Sequence, residues 1–198
     1  MADKINILGY ALVIFVLAAC GKMYLESDSY NLKCIISQVD GNKYCVREKD
    51  KLEETADLLA TVTNKLKKLV TLAYQKYPNK ETVQLLYNRF KPTKISEILP
   101  TSKYTAYSEN KGEKLAFCTT TTKQNDVIID ENTLTFVGIH EISHIMTKSI
   151  GHKDDFWKNF KFLLEIAVKN NLYTPIDYKK SPKQYCGMNI TDNPYYDI

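Results

Sequence analysis

Histidine is scarce in this chain, with three among 198 residues, and the chain holds only one tryptophan, six prolines and seven glycines. So little Gly and Pro does not suit a low-complexity chain or a repeat array, and no internal period is present. Cysteine never occurs as a CxxC pair, which argues against a cysteine zinc knuckle. Basic residues form no long run: 27 Lys and Arg against 23 Asp and Glu give a net charge of +4, with short pairs such as Lys67-Lys68 and Lys179-Lys180. That scatter describes a solvated surface and not a nucleic-acid patch. The remainder is ordinary for a globular chain, 44% hydrophobic and 25% charged. Disorder is therefore not expected, and the length suits one domain with an appendage.

One stretch has no charge at all. INILGYALVIFVLAACG runs from Ile5 to Gly21 between Lys4 and Lys22. As a helix it covers about 25 Å, slightly short of a bilayer core and extendable through Met23, Tyr24 and Leu25. Such a run at the N-terminus is expected to target a membrane, which divides the chain into an anchor, 1–25, and a domain, 26–198. Two mechanisms compete. One is an uncleaved single-pass anchor. The other is a bacterial lipoprotein signal, because Leu17-Ala18-Ala19-Cys20 resembles a lipobox that would leave Cys20 lipidated. Asp3 offsets Lys4, so the flanking charges do not set the topology. Beyond Cys20 lie Cys34, Cys45, Cys118 and Cys186. An even number permits two disulfides, in three connectivities, and equally permits buried thiols.

Alternation on both sides of Asp40-Gly41 predicts a hairpin of about 32–38 and 42–47. Leu52, Ala56, Leu59, Val62, Leu66, Leu69 and Ala73 then recur at helical steps until Pro78. A shorter helix is expected over about 80–90, ended by Pro92. Residues 100–129 read as two strands around Asn110-Lys111-Gly112 and a third at DVIID. The next helix is expected to open at Asp130 or Asn132 and close on Gly151. A final amphipathic helix, about 154–169, would bury Phe156, Phe160, Leu163, Leu164 and Ala167, and 171–198 reads as an extended tail. Within that tail NIT, 189–191, has the form of a glycosylation acceptor, a triplet short enough to arise by chance. The order is α+β and not alternating βαβ.

All three histidines fall in HEISHIMTKSIGHKDDFW, residues 140–157. Singly, each would pass for a surface or helix-end histidine. Together they have a form that chemistry requires. His140 and His144 lie four apart, so a helix presents both imidazoles on one face to one ion. Glu141, turned about 100° from His140, is placed to reach a water and not the ion. No Pro or Gly breaks the helix between them, and Phe136, Val137, Ile139, Ile142, Ile145 and Met146 give it a packing surface. His152 follows a glycine that can turn the chain back, which makes it the preferred third ligand over Glu165 on the last helix. Three protein ligands with a neighbouring glutamate describe a catalytic zinc site with an open position; a structural site would favour four.

The stretch HEISHIMTKSIGHKDDFW resembles the HExxH…H…FW signature of the SprT, WLM and YgjP-like metallopeptidases. More widely, KGEKLAFC, NTLTFVGIHEISH, SIGHKDDFWKNFKFLLEIA and PKQYCGM resemble membrane-anchored candidate metallopeptidases of giant nucleocytoplasmic DNA viruses, over about 35–195. The resemblance implies a minimal zincin-like domain, Zn²⁺ on His140, His144 and His152, Glu141 as catalytic base, and a place in a virion or host endomembrane. Seven residues separate His144 from His152, more than in typical WLM motifs, so the DNA–protein-crosslink role of some relatives does not carry over. The activity expected is a zinc endopeptidase acting on a peptide or protein, with a strand from 104–118 pairing with the substrate and Tyr185 as an oxyanion stabiliser. The rival expectation is a membrane-anchored structural or virion-assembly protein on a non-catalytic zincin fold.

Overall fold

The computed structural model describes residues 2–25, 32–90, 92, 94–125 and 127–197, the side chains of 2–6 and 25 aside. In chain order these form α1 (Ala2–Leu25), β1 (Leu32–Ile36), β2 (Lys43–Arg47), α2 (Leu52–Lys76), α3 (Glu81–Arg89), β3 (Ile95–Glu97), β4 (Ala106–Glu109), β5 (Lys114–Phe117), α4 (Glu131–Met146), α5 (Asp154–Lys169), β6 (Lys183–Tyr185), β7 (Met188–Ile190) and a 3-10 turn, Pro194–Tyr196. The class is mixed α+β.

The first helix has no buried residue in its window Ile7–Tyr24, which is long and apolar enough to cross a membrane. Cys20 within it is a free, exposed thiol.

A five-stranded sheet runs in the order β1-β2-β3-β5-β4. β1 and β2 are antiparallel, with Cys34 opposite Cys45. β2–β3 and β3–β5 are parallel, and β4 returns antiparallel on β5 to form the edge. At its centre Glu97 is fully buried. The carboxylate accepts from Arg47 Nε at 2.6 Å, the Arg47 backbone N–H at 2.8 Å and Thr119 Oγ1 at 2.7 Å, and Lys49 Nζ lies 3.1 Å away. A buried carboxylate persists only with such compensation.

Helix α4 lies against α2, α3, α5 and β4. Past its first two residues it is buried everywhere except at His140 and His144. A helix apolar almost all round belongs inside a domain. Gly138 permits the close approach to α2, since a Cβ there would meet Leu66 Cδ1 at 3.0 Å. The expected stripe of α2 (Ala56, Leu59, Val62, Leu66, Leu69, Ala73) faces this core, as do Phe156, Phe160, Leu163, Leu164 and Ala167 of α5.

Several expectations are corrected. Asp130, not Asn132, caps α4, accepting from the Thr133 N–H. The helix ends at Met146 and not at Gly151. Thr147 stops it by donating to Ser143 O and accepting from Asn159 Nδ2, while Lys111 Nζ takes the Thr147 and Lys148 carbonyls. Of the expected DVIID strand, the described residues 127–130 form only the isolated bridge Thr120↔Ile128, with Val127 exposed. Strand β3 was not expected at all, being three residues long. The tail is not simply extended: β6 and β7 form a hairpin turned by Cys186 and Gly187, both at positive φ. Disulfides join Cys34 to Cys45 and Cys118 to Cys186.

Candidate metal centre

Past the first two residues of α4, its two half-exposed positions are the histidines. Four residues apart, they put imidazole centroids 5.0 Å from each other. Beyond Thr147 the chain loops through Gly151, at φ 80°, and returns His152 to the same point. His152 Nε2 lies 3.0 Å from His140 Nε2, and one nitrogen from each of the three rings falls within 4.8 Å of the others. Around a tetrahedral zinc, nitrogens at about 2.0–2.1 Å from the metal stand about 3.3 Å apart. The donor set therefore suits such an ion in type and number; the His140–His152 pair is already near that spacing, and the widest pair would have to close from 4.8 Å.

What holds the rings is the start of α5. Phe156 is fully buried, and its ring lies beneath all three imidazoles, 4.9 Å from His140, stacked at 4.3 Å on His144 and 4.6 Å from His152. Phe160 meets His140 edge-on at 5.2 Å. Trp157 Nε1 donates to the His152 carbonyl at 3.1 Å, which secures the loop. The aromatic pair after the third histidine thus has two separate tasks, a floor and a clasp.

Burial dominates the electrostatics. Desolvation, then the neighbouring charges of His144 and His152, brings His140 down to about 3. Desolvation, then His152 and Lys111, brings His144 down to about 4. Both rings are neutral at pH 7, the state in which imidazole binds a metal. Glu141 is 6% exposed, and burial pushes its carboxyl up to about 8; a cation beside it would favour the ionised form.

Glu141 and His140 open into a cleft of about 250 Å³, lined also by Thr105, Ala106, Val137, Tyr185 and Asn189. Edge strand β4 forms one bank and the β6–β7 hairpin another. Tyr185 is buried in this wall, and its hydroxyl donates to Thr105 O at 3.1 Å, the carbonyl that also accepts from Cys118 N. Burial, then the Glu141 charge, holds this phenol well above its ordinary pKa. The hydroxyl is committed to the head of β4. Glu165 lies elsewhere, exposed on α5 beside a groove with Leu72, Tyr77 and Phe162. Lys111, which ties the β4–β5 turn to the end of α4, carried no sequence signal because its partners are 36 and 37 residues away. Gly112 seats that turn: at φ 107° it comes so close that a Cβ would lie 2.7 Å from Arg89 O.

Fold and site together define an α+β protein with three histidines gathered on one buried helix and the loop that follows it. Its relatives are viral. A protein of Acanthamoeba polyphaga mimivirus is 28% identical over 192 residues, 94% of this chain and 96% of that one. A protein of Invertebrate iridescent virus 3 is 39% identical over 59 residues, 30% of this chain and 36% of its own. One of Invertebrate iridescent virus 6 is 34% identical over 82 residues, 41% and 44% of the two chains. All three are described as uncharacterised. No family model matches the chain, and no solved structure does.

Proposed function

We propose that this chain is a membrane-anchored zinc endopeptidase with a minimal zincin-like fold. The observation that carries the reading is the convergence of His140, His144 and His152 beside a buried glutamate that opens into a cleft. Zinc, when bound there, supplies a Lewis acid that polarises a carbonyl and acidifies water.

The rest belongs to the chain. Phe156 and the Trp157 clasp hold the imidazoles in place before any ligand arrives, so little reorganisation is needed. Edge strand β4, Ala106–Glu109, offers its outer side to an extended peptide, laying it along the cleft. Glu141 takes a proton from the attacking water at a carboxylate oxygen and delivers it to the departing amine as the C–N bond breaks. With a cation beside it the carboxylate is ionised and free to accept that proton. Tyr185, occupied with Thr105 O, keeps the head of β4 in register with the site.

The apolar helix α1 is the proposed anchor, and the absence of any buried residue along Ile7–Tyr24 supports that role. The test is a peptide-library digest by zinc-loaded wild type and Glu141→Gln, with metal content measured for both. We expect one zinc in each and cleavage by the wild type alone, a loss of about 10²–10⁴ in rate for a proton-transfer group. A wild-type protein that holds no metal, or equal digestion by the two, refutes the proposal.

A further inference from the structure

The sequence contains one Asn-X-Ser/Thr triplet with X other than Pro, Asn189-Ile190-Thr191, and the metal centre gives it no role. Its placement is specific. Asn189 lies on β7 opposite Gln184, on the exposed side of the hairpin, and Thr191 is exposed just beyond the strand. Residues two apart in extended chain project to the same side, so amide and hydroxyl are presented together. Among the described residues neither side chain makes a hydrogen bond. Nearby Asn193 contrasts with this: it is buried, and its amide donates to Tyr173 Oη and Ile176 O.

Two independent features bear on the compartment. All four cysteines outside α1 are paired, Cys34 with Cys45 and Cys118 with Cys186, and such bridges persist on the oxidising side of a membrane. The apolar helix that precedes them suits a signal anchor, which would deliver everything after it to that side.

We propose that Asn189 is an N-glycosylation site, used with the domain in an oxidising lumen. The Asn189 amide nitrogen bonds to the anomeric carbon of the first sugar and loses one proton. The bond from that carbon to the diphosphate of a lipid-linked oligosaccharide breaks, and the lipid diphosphate leaves with the electron pair. Asn189 also lines the cleft shared by His140 and Glu141, so the glycan would stand beside its mouth.

The test is translation of the full chain into endoplasmic-reticulum vesicles, read by electrophoresis with and without peptide-N-glycosidase. One glycosidase-sensitive mobility step is expected, lost in Asn189→Gln and Thr191→Ala and kept in Thr191→Ser. A control chain carries Glu81→Thr, which sets an acceptor hydroxyl two residues after exposed Asn79. If Asn79 is modified while Asn189 is not, the site assignment is overturned; if neither is modified, the lumenal placement fails and the proposal with it. Non-reducing gels verify that each variant forms its disulfides. No arm reads metal or cleavage, so this result stands apart from the peptidase reading.

Discussion

Removing the buried charge of Glu141 should change how the metal-free protein responds to pH. In the folded chain the carboxyl titrates at about 8, against 4.5 for an ordinary glutamate. A raised carboxyl pKa means that the native state binds more protons than the unfolded one between those values, so stability falls as pH rises through the window. From pH 6.5 to 8 the cost amounts to about 1.5 kcal/mol. His140 and His144 act in the opposite sense, since their depressed pKa values make stability rise with pH up to the ordinary histidine range. Glu141→Gln keeps those histidines and the side-chain volume, so the difference between the two proteins isolates the carboxyl. After chelation, urea unfolding of both at pH 6.5 and at pH 8 should show the variant gaining on wild type by about 1.5 kcal/mol, equivalent to roughly 3–6 °C in Tm. Saturating zinc should abolish the gain, because a cation stabilises the ionised carboxylate. Parallel stability curves in the metal-free proteins would refute the buried-carboxyl argument.

Phe156→Ala should cost about 3–5 kcal/mol through the cavity it opens and also weaken zinc binding, measured by chelator competition; unchanged affinity would show that the ring is not the floor of the site. Glu97→Ala strands Arg47 and Lys49 in the sheet and should lower stability by about 3–5 kcal/mol in a denaturant titration, whereas a loss under 1 kcal/mol would mean that water already compensates them. Replacing each disulfide by a serine pair should rank by loop length, since separations of 11 and 68 residues correspond to about 3 and about 4 kcal/mol of lost loop entropy. The reverse order in calorimetry would contradict the loop-entropy account.

How much of this was legible from the sequence depended on range. The helices α2 and α5 were readable because each buries one face at a regular period, and Pro78 marks the end of the first. The first hairpin was readable from Asp40-Gly41. The end of α4 was not, because Thr147 and Lys111 stop it through contacts from α5 and from a distant turn. Strand β3 escaped notice because three residues give no alternation to see. For the site, the spacing of His140 and His144 was a helical-face statement and needed no tertiary knowledge. The delivery of His152 and the shared support of Phe156 depend on how α5 folds back. The commitment of the Tyr185 hydroxyl to Thr105 O was beyond any local pattern.

The near-total burial of α4 separates the three donors kinetically. His140 and His144 sit on a core element whose backbone opens only with the whole domain, so their amides should exchange as slowly as any in the molecule. His152 hangs on the largely exposed segment 148–153, which follows buried Thr147 and is fastened by the Trp157 indole. A metal held here would therefore have two permanent seats and one that can swing away. Its exchange with solution would follow the opening of that loop, not the unfolding of the fold. Loosening Trp157 is thus the way to speed metal exchange while leaving the helix, and the stability it carries, in place.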